Sequence, residues 1–272
     1  MPNGLRFYRR SFNEVVAAEK ASKVFPNWYG ESESWLFLSP HDDDTVLGAG
    51  LTVLAACAEG IEAHIVVASD GSMGYCSAEE RFNIAEIRQR ETAESCRLLG
   101  LGPDRVHFLG FPDGSLMQYS GRRLARPDDV GVVEGYVGLQ NSFTQVLRQV
   151  KPTRIFIPTS KDLHPDHQVV SREMLISIFH AQGAIWPELG EPMANLPEVY
   201  EYATYSDFVE PPQIKVRATP EMLQKKLAAI AAFASQKQIG LIVEQMREGG
   251  PVEYLHEMHF QFYSPSVYEN LF

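Results

Sequence analysis

A histidine and three consecutive aspartates follow directly on a short apolar segment, and this junction constrains the fold more than any other part of the chain. Trp35-Leu36-Phe37-Leu38 is typical of a buried strand, and Ser39-Pro40 leads from it into His41-Asp42-Asp43-Asp44. Like charges this close together repel, and partial burial increases the cost of that repulsion. A bound cation would offset it. The pattern therefore indicates a metal site at the end of a strand.

Short segments rich in β-branched and aromatic residues alternate with helical patterns along the chain. Strands are predicted at residues 35–39, 63–69, 106–109, 154–158 and 199–204. Helices are predicted at residues 46–59, 82–99, 140–149, 169–179 and 220–233. This alternation predicts an α/β fold with a Rossmann-like, mostly parallel sheet flanked by helices. Ligands bind such sheets beyond the carboxyl ends of the strands, and we expect the active site there.

The length of 272 residues is enough for one large α/β domain. We predict a single domain over residues 1–272 with a core at about 33–240. The stretch 121–138 interrupts the alternation of strands and helices and is predicted to be a loop or insertion over the site. The part after residue 239 is less regular and is predicted to pack on the core as a C-terminal extension.

Composition excludes several classes of function. The net charge of −11 argues against nucleic-acid binding, which needs a basic surface. No apolar run reaches 18 residues, and the first 20 residues lack the apolar stretch of a secretion signal, so we predict a cytoplasmic protein without membrane insertion. Three cysteines without a CxxC spacing predict no disulfide framework. A homo-oligomer stays open.

Three polar clusters come just after predicted strands, and the topology rule brings all three to one edge of the sheet. They are His41 to Asp44, Asp70-Gly71, and His164-Pro165-Asp166-His167. Two histidines and a carboxylate form an open ligand set suited to catalytic zinc, and the same donors would also suit Fe(II). A water molecule on such a metal loses its proton near neutral pH, and a nearby free carboxylate could act as the general base.

The ordered set of motifs resembles the PIG-L/LmbE-like zinc-dependent N-deacetylases. The resemblance covers roughly residues 33–240 and rests on these segments: Pro40–Gly50, Ser69-Asp70-Gly71, Arg88–Glu91, Leu99-Gly100, Leu109–Gly114, His164–His167, Lys226 and Ser235-Gln236. Two positions depart from the family pattern. Asp42 replaces the family proline and Thr45 replaces the family glutamate. Neither position is a metal ligand in the family pattern.

The resemblance implies a role for each matching residue. It implies that the metal ligands are His41, Asp44 and His167. It implies that Asp43 is the general base, that His164 stabilises the oxyanion or protonates the leaving amine, and that Asp166 orients a neighbouring histidine. It implies substrate contacts by Arg88, and Asp70 and Asp113 are further candidates for binding sugar hydroxyls, although turn formation before a glycine would explain both equally well.

The implied activity is removal of an acetyl group from the amide nitrogen of a small N-acetylated substrate, such as an N-acetylglucosamine-type sugar or conjugate. One alternative is a Mg²⁺-dependent phosphohydrolase, because Asp42 and Asp44 have the spacing of its D-x-D motif. Thr45 comes one position too early for that motif, and the second histidine cluster would be unexplained. Another alternative is a non-catalytic sugar-binding module on the same scaffold.

Overall fold

A nine-stranded sheet runs through the part of the chain that the computed structural model describes, residues 4–12 and 14–271. The strands are β1 (Leu5–Arg10), β2 (Val15–Ala18), β3 (Ser34–Ser39), β4 (Glu62–Ser69), β5 (Val106–Phe111), β8 (Arg154–Pro158), β9 (Glu198–Tyr202), β10 (Ile214–Ala218) and β11 (Val252–Met258), with β6 (Arg123–Leu124) and β7 (Tyr136–Val137) forming a separate hairpin. The helices are α1 (Asp44–Ala58), α2 (Ile84–Leu99), α3 (Leu139–Val150), α4 (Pro165–Gln182), α5 (Pro220–Ala231) and α6 (Ile239–Gly249).

The order of the strands is β2-β1-β10-β11-β9-β8-β3-β4-β5. The strands from β9 to β5 are parallel, and they are the five strands predicted from the sequence. This confirms the predicted α/β fold with a large parallel sheet flanked by helices. Four antiparallel strands extend the sheet beyond β9, and the sequence patterns did not predict them. Three of these, β1, β2 and β11, lie outside the expected core at 33–240.

Alternate residues of β3 face opposite layers of helices, as the twofold period of a strand requires. Trp35 and Phe37 pack in the core beneath α1, α2 and α5, whereas Leu36 and Leu38 pack beneath α3 and α4. All four side chains are fully buried. Burial on both faces explains why the strand is a continuous apolar run without alternation of polar residues. No helix of the described ranges combines the length and apolarity needed to cross a membrane.

The helix α1 is interrupted near its middle. Ala49 has φ −136° and ψ 15°, which are not helical, so backbone groups on both sides lose their partners within the helix. The carboxylate of Glu253 on β11 accepts the N–H groups of Leu51 at 2.7 Å and Thr52 at 2.9 Å. A side chain from a distant strand thus replaces the missing backbone hydrogen bonds.

Lys226 of α5 completes the repair of α1 from the other side. Its Nζ donates to the carbonyl of Leu47 and to Oε1 of Glu253, each at 2.7 Å. A Cβ at Gly50 would lie 3.2 Å from the Lys226 side chain, and one at Gly48 would lie 2.3 Å from the ring of Tyr202. The two glycines therefore permit the close approach that this arrangement requires.

The stretch 121–138 forms the hairpin β6–β7 and the turns around it. The Arg122 guanidinium lies over the ring of Tyr136 at 3.5 Å and over Trp186 at 4.4 Å. The N–H of Gly121 donates to Glu173 of α4 at 2.8 Å. These contacts attach the segment to the α3–α4 side of the molecule.

Candidate active site

The turn between β3 and α1 is held by its own side chains. The hydroxyl of Ser39 donates to the carbonyl of His41 at 2.5 Å and accepts the N–H of Thr45 at 3.1 Å. The N–H of His41 donates to Oδ2 of Asp44 at 2.8 Å. These bonds fix the backbone of the acidic run and direct its side chains beyond the carboxyl end of the strand.

Three ligand atoms from two loops form a compact triangle. Oδ2 of Asp44 lies 3.1 Å from Nδ1 of His41 and 3.0 Å from Nε2 of His167, and the two nitrogens are 3.2 Å apart. Donor atoms around tetrahedral zinc, with bonds of about 2.0 Å, are separated by about 3.3 Å. Oδ1 of Asp44 is buried and accepts no hydrogen bond from a described residue. A cation would satisfy this arrangement.

Carboxylates occupy the outer side of both histidines. Nε2 of His41 lies 3.2 Å from Asp113 and 3.4 Å from Asp166, and Nδ1 of His167 lies 3.1 Å from Asp162. Histidines that bind metals commonly present their second nitrogen to such a carboxylate, which fixes the ring and its tautomer. Two further groupings of three residues could also hold a metal ion, namely His41 with His164 and His167, and His41 with Asp113 and Asp166.

These carboxylates also set the protonation of the triangle. Burial lowers the pKa of His167, but Asp44 and Asp162 outweigh it and raise the pKa to about 9. Burial likewise opposes the charge on His41, and its carboxylate neighbours raise its pKa well above the usual value. Burial raises the pKa of Asp44, but the two histidines hold it well below its ordinary range. A metal binding here has to displace protons from the imidazoles.

Asp42, at the position of the family proline, faces neither the triangle nor solvent. Its Oδ1 accepts a hydrogen bond from Nη2 of Arg88 at 2.6 Å, and its Oδ2 accepts a second one from Nε. Both side chains are 4% exposed. Gly71, at φ +67°, lies against this pair, and a Cβ there would lie 2.9 Å from Oδ2 of Asp42. The substrate contact predicted for Arg88 stays a prediction, because the guanidinium is engaged by this chain.

Asp43 lies between the Asp42–Arg88 pair and the triangle. Nη2 of Arg88 is 3.4 Å from its Oδ2, and the Asp43 side chain is 14% exposed. Burial raises the pKa of Asp43 to about 6, while the charge of Arg88 opposes this rise. A partly accessible carboxyl group with this pKa suits a general base near neutral pH.

His164 occupies the N-cap position of α4. Its Nδ1 accepts the N–H of Asp166 at 3.2 Å, so the neutral ring carries its hydrogen on Nε2. Its ring lies 4.6 Å from that of His41 and 5.2 Å from that of His167. Burial lowers the pKa of His164, and the two other histidines lower it further. The neutral ring can donate a hydrogen bond into the site.

The remaining predicted residues organise the loops around the triangle. Oδ1 of Asp70 accepts the N–H groups of Ser72 at 3.0 Å and Asp113 at 3.1 Å, which is a turn-forming role. Asp166 accepts the N–H of Gly114 at 2.9 Å and adjoins His41, so it is His41 that this carboxylate orients. Thr45 is 1% exposed and lies beneath the site. Asp162, which the sequence patterns missed, stands only two residues before the second histidine cluster.

Comparison with known proteins places the chain in a family. The family model described as GlcNAc-PI de-N-acetylase matches residues 36–177. Among solved structures, the conserved protein TT1542 of Thermus thermophilus is 27% identical, with coverage of 86% of this chain and 98% of that one and a TM-score of 0.63. N,N′-diacetylchitobiose deacetylase of Pyrococcus horikoshii, in complex with an inhibitor, is 23% identical, with 88% and 89% coverage and a TM-score of 0.66.

The 4-carboxy-2-hydroxymuconate hydratase GalB of Pseudomonas putida has the same fold at 20% identity, with coverage of 85% of this chain and 98% of that one and a TM-score of 0.65. A search of curated proteins gave no significant match. The family match extends over more than half of the chain and includes both histidine clusters. The chain therefore belongs to the PIG-L family.

Proposed function

We propose that the protein is a zinc-dependent N-deacetylase that hydrolyses the N-acetyl amide of an amino sugar or sugar conjugate. The proposal rests on one observation: three ligand atoms lie 3.0–3.2 Å apart beside the carboxyl group of Asp43 and the ring of His164. The family description and the activity of the Pyrococcus horikoshii relative support an N-acetylated sugar as the substrate.

The donor set favours zinc or Fe(II) over magnesium. Two of the three ligand atoms are imidazole nitrogens, whereas Mg²⁺ prefers oxygen ligands and retains several waters. This argues against the phosphohydrolase. The hydratase with the same fold is a reminder that the fold alone does not determine the reaction. A candidate base and a neutral imidazole donor on either side of the ligand triangle are what amide hydrolysis needs.

The roles of the chain's own residues follow from this geometry. Held by His41, Asp44 and His167, zinc would supply a Lewis acid and lower the pKa of water to about 7. Asp43 accepts the proton of the attacking water. Nε2 of His164 then donates a hydrogen bond to the oxyanion.

The leaving amine takes up a proton as the C–N bond breaks, and acetate and the free amine are released. Asp113, Asp162 and Asp166 hold the imidazoles in position. Asp70, Arg88 and Asp113 are proposed as substrate contacts. A cytoplasmic location and a homo-oligomer stay predictions from the sequence.

The test measures metal content by mass spectrometry on protein purified without chelator, together with acetate release from N-acetylglucosamine and its conjugates. Asp43→Ala should retain about one zinc per chain and lose about 100-fold or more in kcat. His167→Ala should lose the metal. Asp104→Ala, in an exposed turn before β5 at the opposite edge of the sheet, serves as the control. Full activity of Asp43→Ala, or normal zinc content of His167→Ala, would contradict the assignments.

A further inference from the structure

A tyrosine that no motif of the sequence singled out stands at the mouth of the ligand triangle. Tyr205 lies in the loop after β9, three residues beyond the end of that strand. Its ring centroid is 5.1 Å from that of His167 and 6.5 Å from that of His164. The residue is 54% exposed, so burial in the core does not account for its position.

The loop holds Tyr205 in place through the same groups that hold the histidines. The carbonyl of Tyr202 accepts the N–H of Thr159 at 2.8 Å, which joins the end of β9 to β8. The N–H of Tyr205 donates to the carboxylate of Asp162, and this carboxylate also lies 3.1 Å from Nδ1 of His167. One carboxylate therefore positions both a ligand histidine and the tyrosine.

The loop leaves hydrogen-bonding capacity unused on both sides of the tyrosine. The hydroxyls of Thr204 and Ser206 are buried and have no hydrogen-bond partner among the described residues. Buried polar groups without partners are uncommon and destabilising, and they concentrate at functional sites. The conformation of this loop is therefore not the one that stability alone would select.

The charge around the triangle gives a tyrosine hydroxyl a purpose. Asp43, Asp113, Asp162 and Asp166 all lie within the site, and these carboxylates would repel an oxyanion. The phenol lies near the carboxylate of Asp44, whose charge, together with burial, raises the pKa of Tyr205. The phenol is therefore a hydrogen-bond donor at neutral pH.

We propose that Tyr205 is a further catalytic residue, whose phenol hydroxyl donates a hydrogen bond to the carbonyl oxygen of the scissile amide and to the oxyanion formed from it. This inference rests on the proposed deacetylase function. Tyr205 and His164 approach His167 from separate loops, so the two side chains supply donors to the developing charge from different directions. Such a donor is most effective where the surrounding protein excludes water and holds it in place before the reaction begins.

The test compares Tyr205→Phe with the wild-type protein and with Tyr254→Phe, a half-exposed tyrosine on β11. Tyr205→Phe should lower kcat by about 10- to 100-fold with little change in KM and with unchanged zinc content. It should also weaken binding of a methylphosphonamidate analogue of the amide, measured by calorimetry, by a similar factor. Binding of the free amine product should not change.

The binding measurement separates this inference from the proposed function. A Tyr205→Phe protein that binds the phosphonamidate as tightly as the wild type, or that keeps the wild-type kcat, overturns the role of Tyr205. A wild-type protein that contains zinc and releases no acetate overturns the deacetylase function instead. In that case weaker analogue binding by Tyr205→Phe would still support the phenol as the donor to a tetrahedral anion.

Discussion

Replacing Lys226 with methionine should lower the free energy of unfolding by about 3–5 kcal/mol, because it leaves the carboxylate of Glu253 buried without its cationic partner. Both side chains are 4% exposed and their charged atoms are 2.7 Å apart. Methionine preserves most of the lysine side-chain volume, so the cavity contribution stays small. The carbonyl of Leu47, at the interruption of α1, also loses its donor.

Removing the other partner should be as costly, and removing both should be less costly than the sum. Glu253→Gln leaves the Lys226 ammonium buried beside a neutral amide. Its single oxygen then has to serve N–H groups that the two carboxylate oxygens now share between Leu51 and Thr52. In the double variant neither buried charge remains, and we expect a loss about 1–3 kcal/mol smaller than the sum of the single losses.

Urea unfolding followed by circular dichroism on the zinc-loaded protein measures these differences. Lys225→Met is the matched control, because Lys225 is the preceding residue of α5 and is exposed to solvent. Its stability should equal that of the wild type. Single variants of the pair within about 1 kcal/mol of the wild type, or single losses that add fully in the double variant, would refute the reasoning.

Two further predictions concern charged groups away from the interruption of α1. Asp42→Asn should lower the free energy of unfolding by about 3–5 kcal/mol, because it removes the bidentate carboxylate from the buried Arg88, whereas Glu94→Gln at an exposed ion pair should change nothing; equal stability of the two variants in urea would argue against this. Burial lowers the pKa values of His64 and His107, which lie 3.0 Å apart, below the value of about 6.5 in the unfolded chain. Between the two values the unfolded chain binds more protons, so stability should fall as the pH drops below about 6.5. A double His→Gln variant at these positions should show a smaller slope in pH-dependent urea unfolding, and an unchanged slope would exclude this pair as its source.

The parallel half of the sheet could be predicted because its strands carry the signal in their own residues. Every residue of β3 is buried, and the run is apolar on both faces. β11 carries no such signal, since Val252–Met258 contains two glutamates and a histidine. Glu253 can be buried there only because Lys226, 27 residues earlier, pairs with it. The sequence around either residue does not reveal that pairing.

The same difference separates the predicted part of the site from the rest. The two histidine clusters follow strands of a parallel sheet, so the topology rule was enough to bring them together. Asp162 and Tyr205 approach His167 through loop conformations that no periodic pattern encodes. Asp42 gave one signal, its departure from the family proline, but its partner Arg88 is 46 residues away and only the folded chain shows the contact.

The position of β11 has a consequence for the way the chain folds during synthesis. β11 pairs with β10 on one side and β9 on the other, and it is the last strand of the described chain to leave the ribosome. Until then the two halves of the sheet each end in an open edge with unpaired backbone groups. The nascent protein therefore passes through a late, aggregation-prone stage in which most of its core can form, but its sheet cannot close. Chaperone dependence should be greatest at that stage, and a chain cut before residue 252 should remain in it.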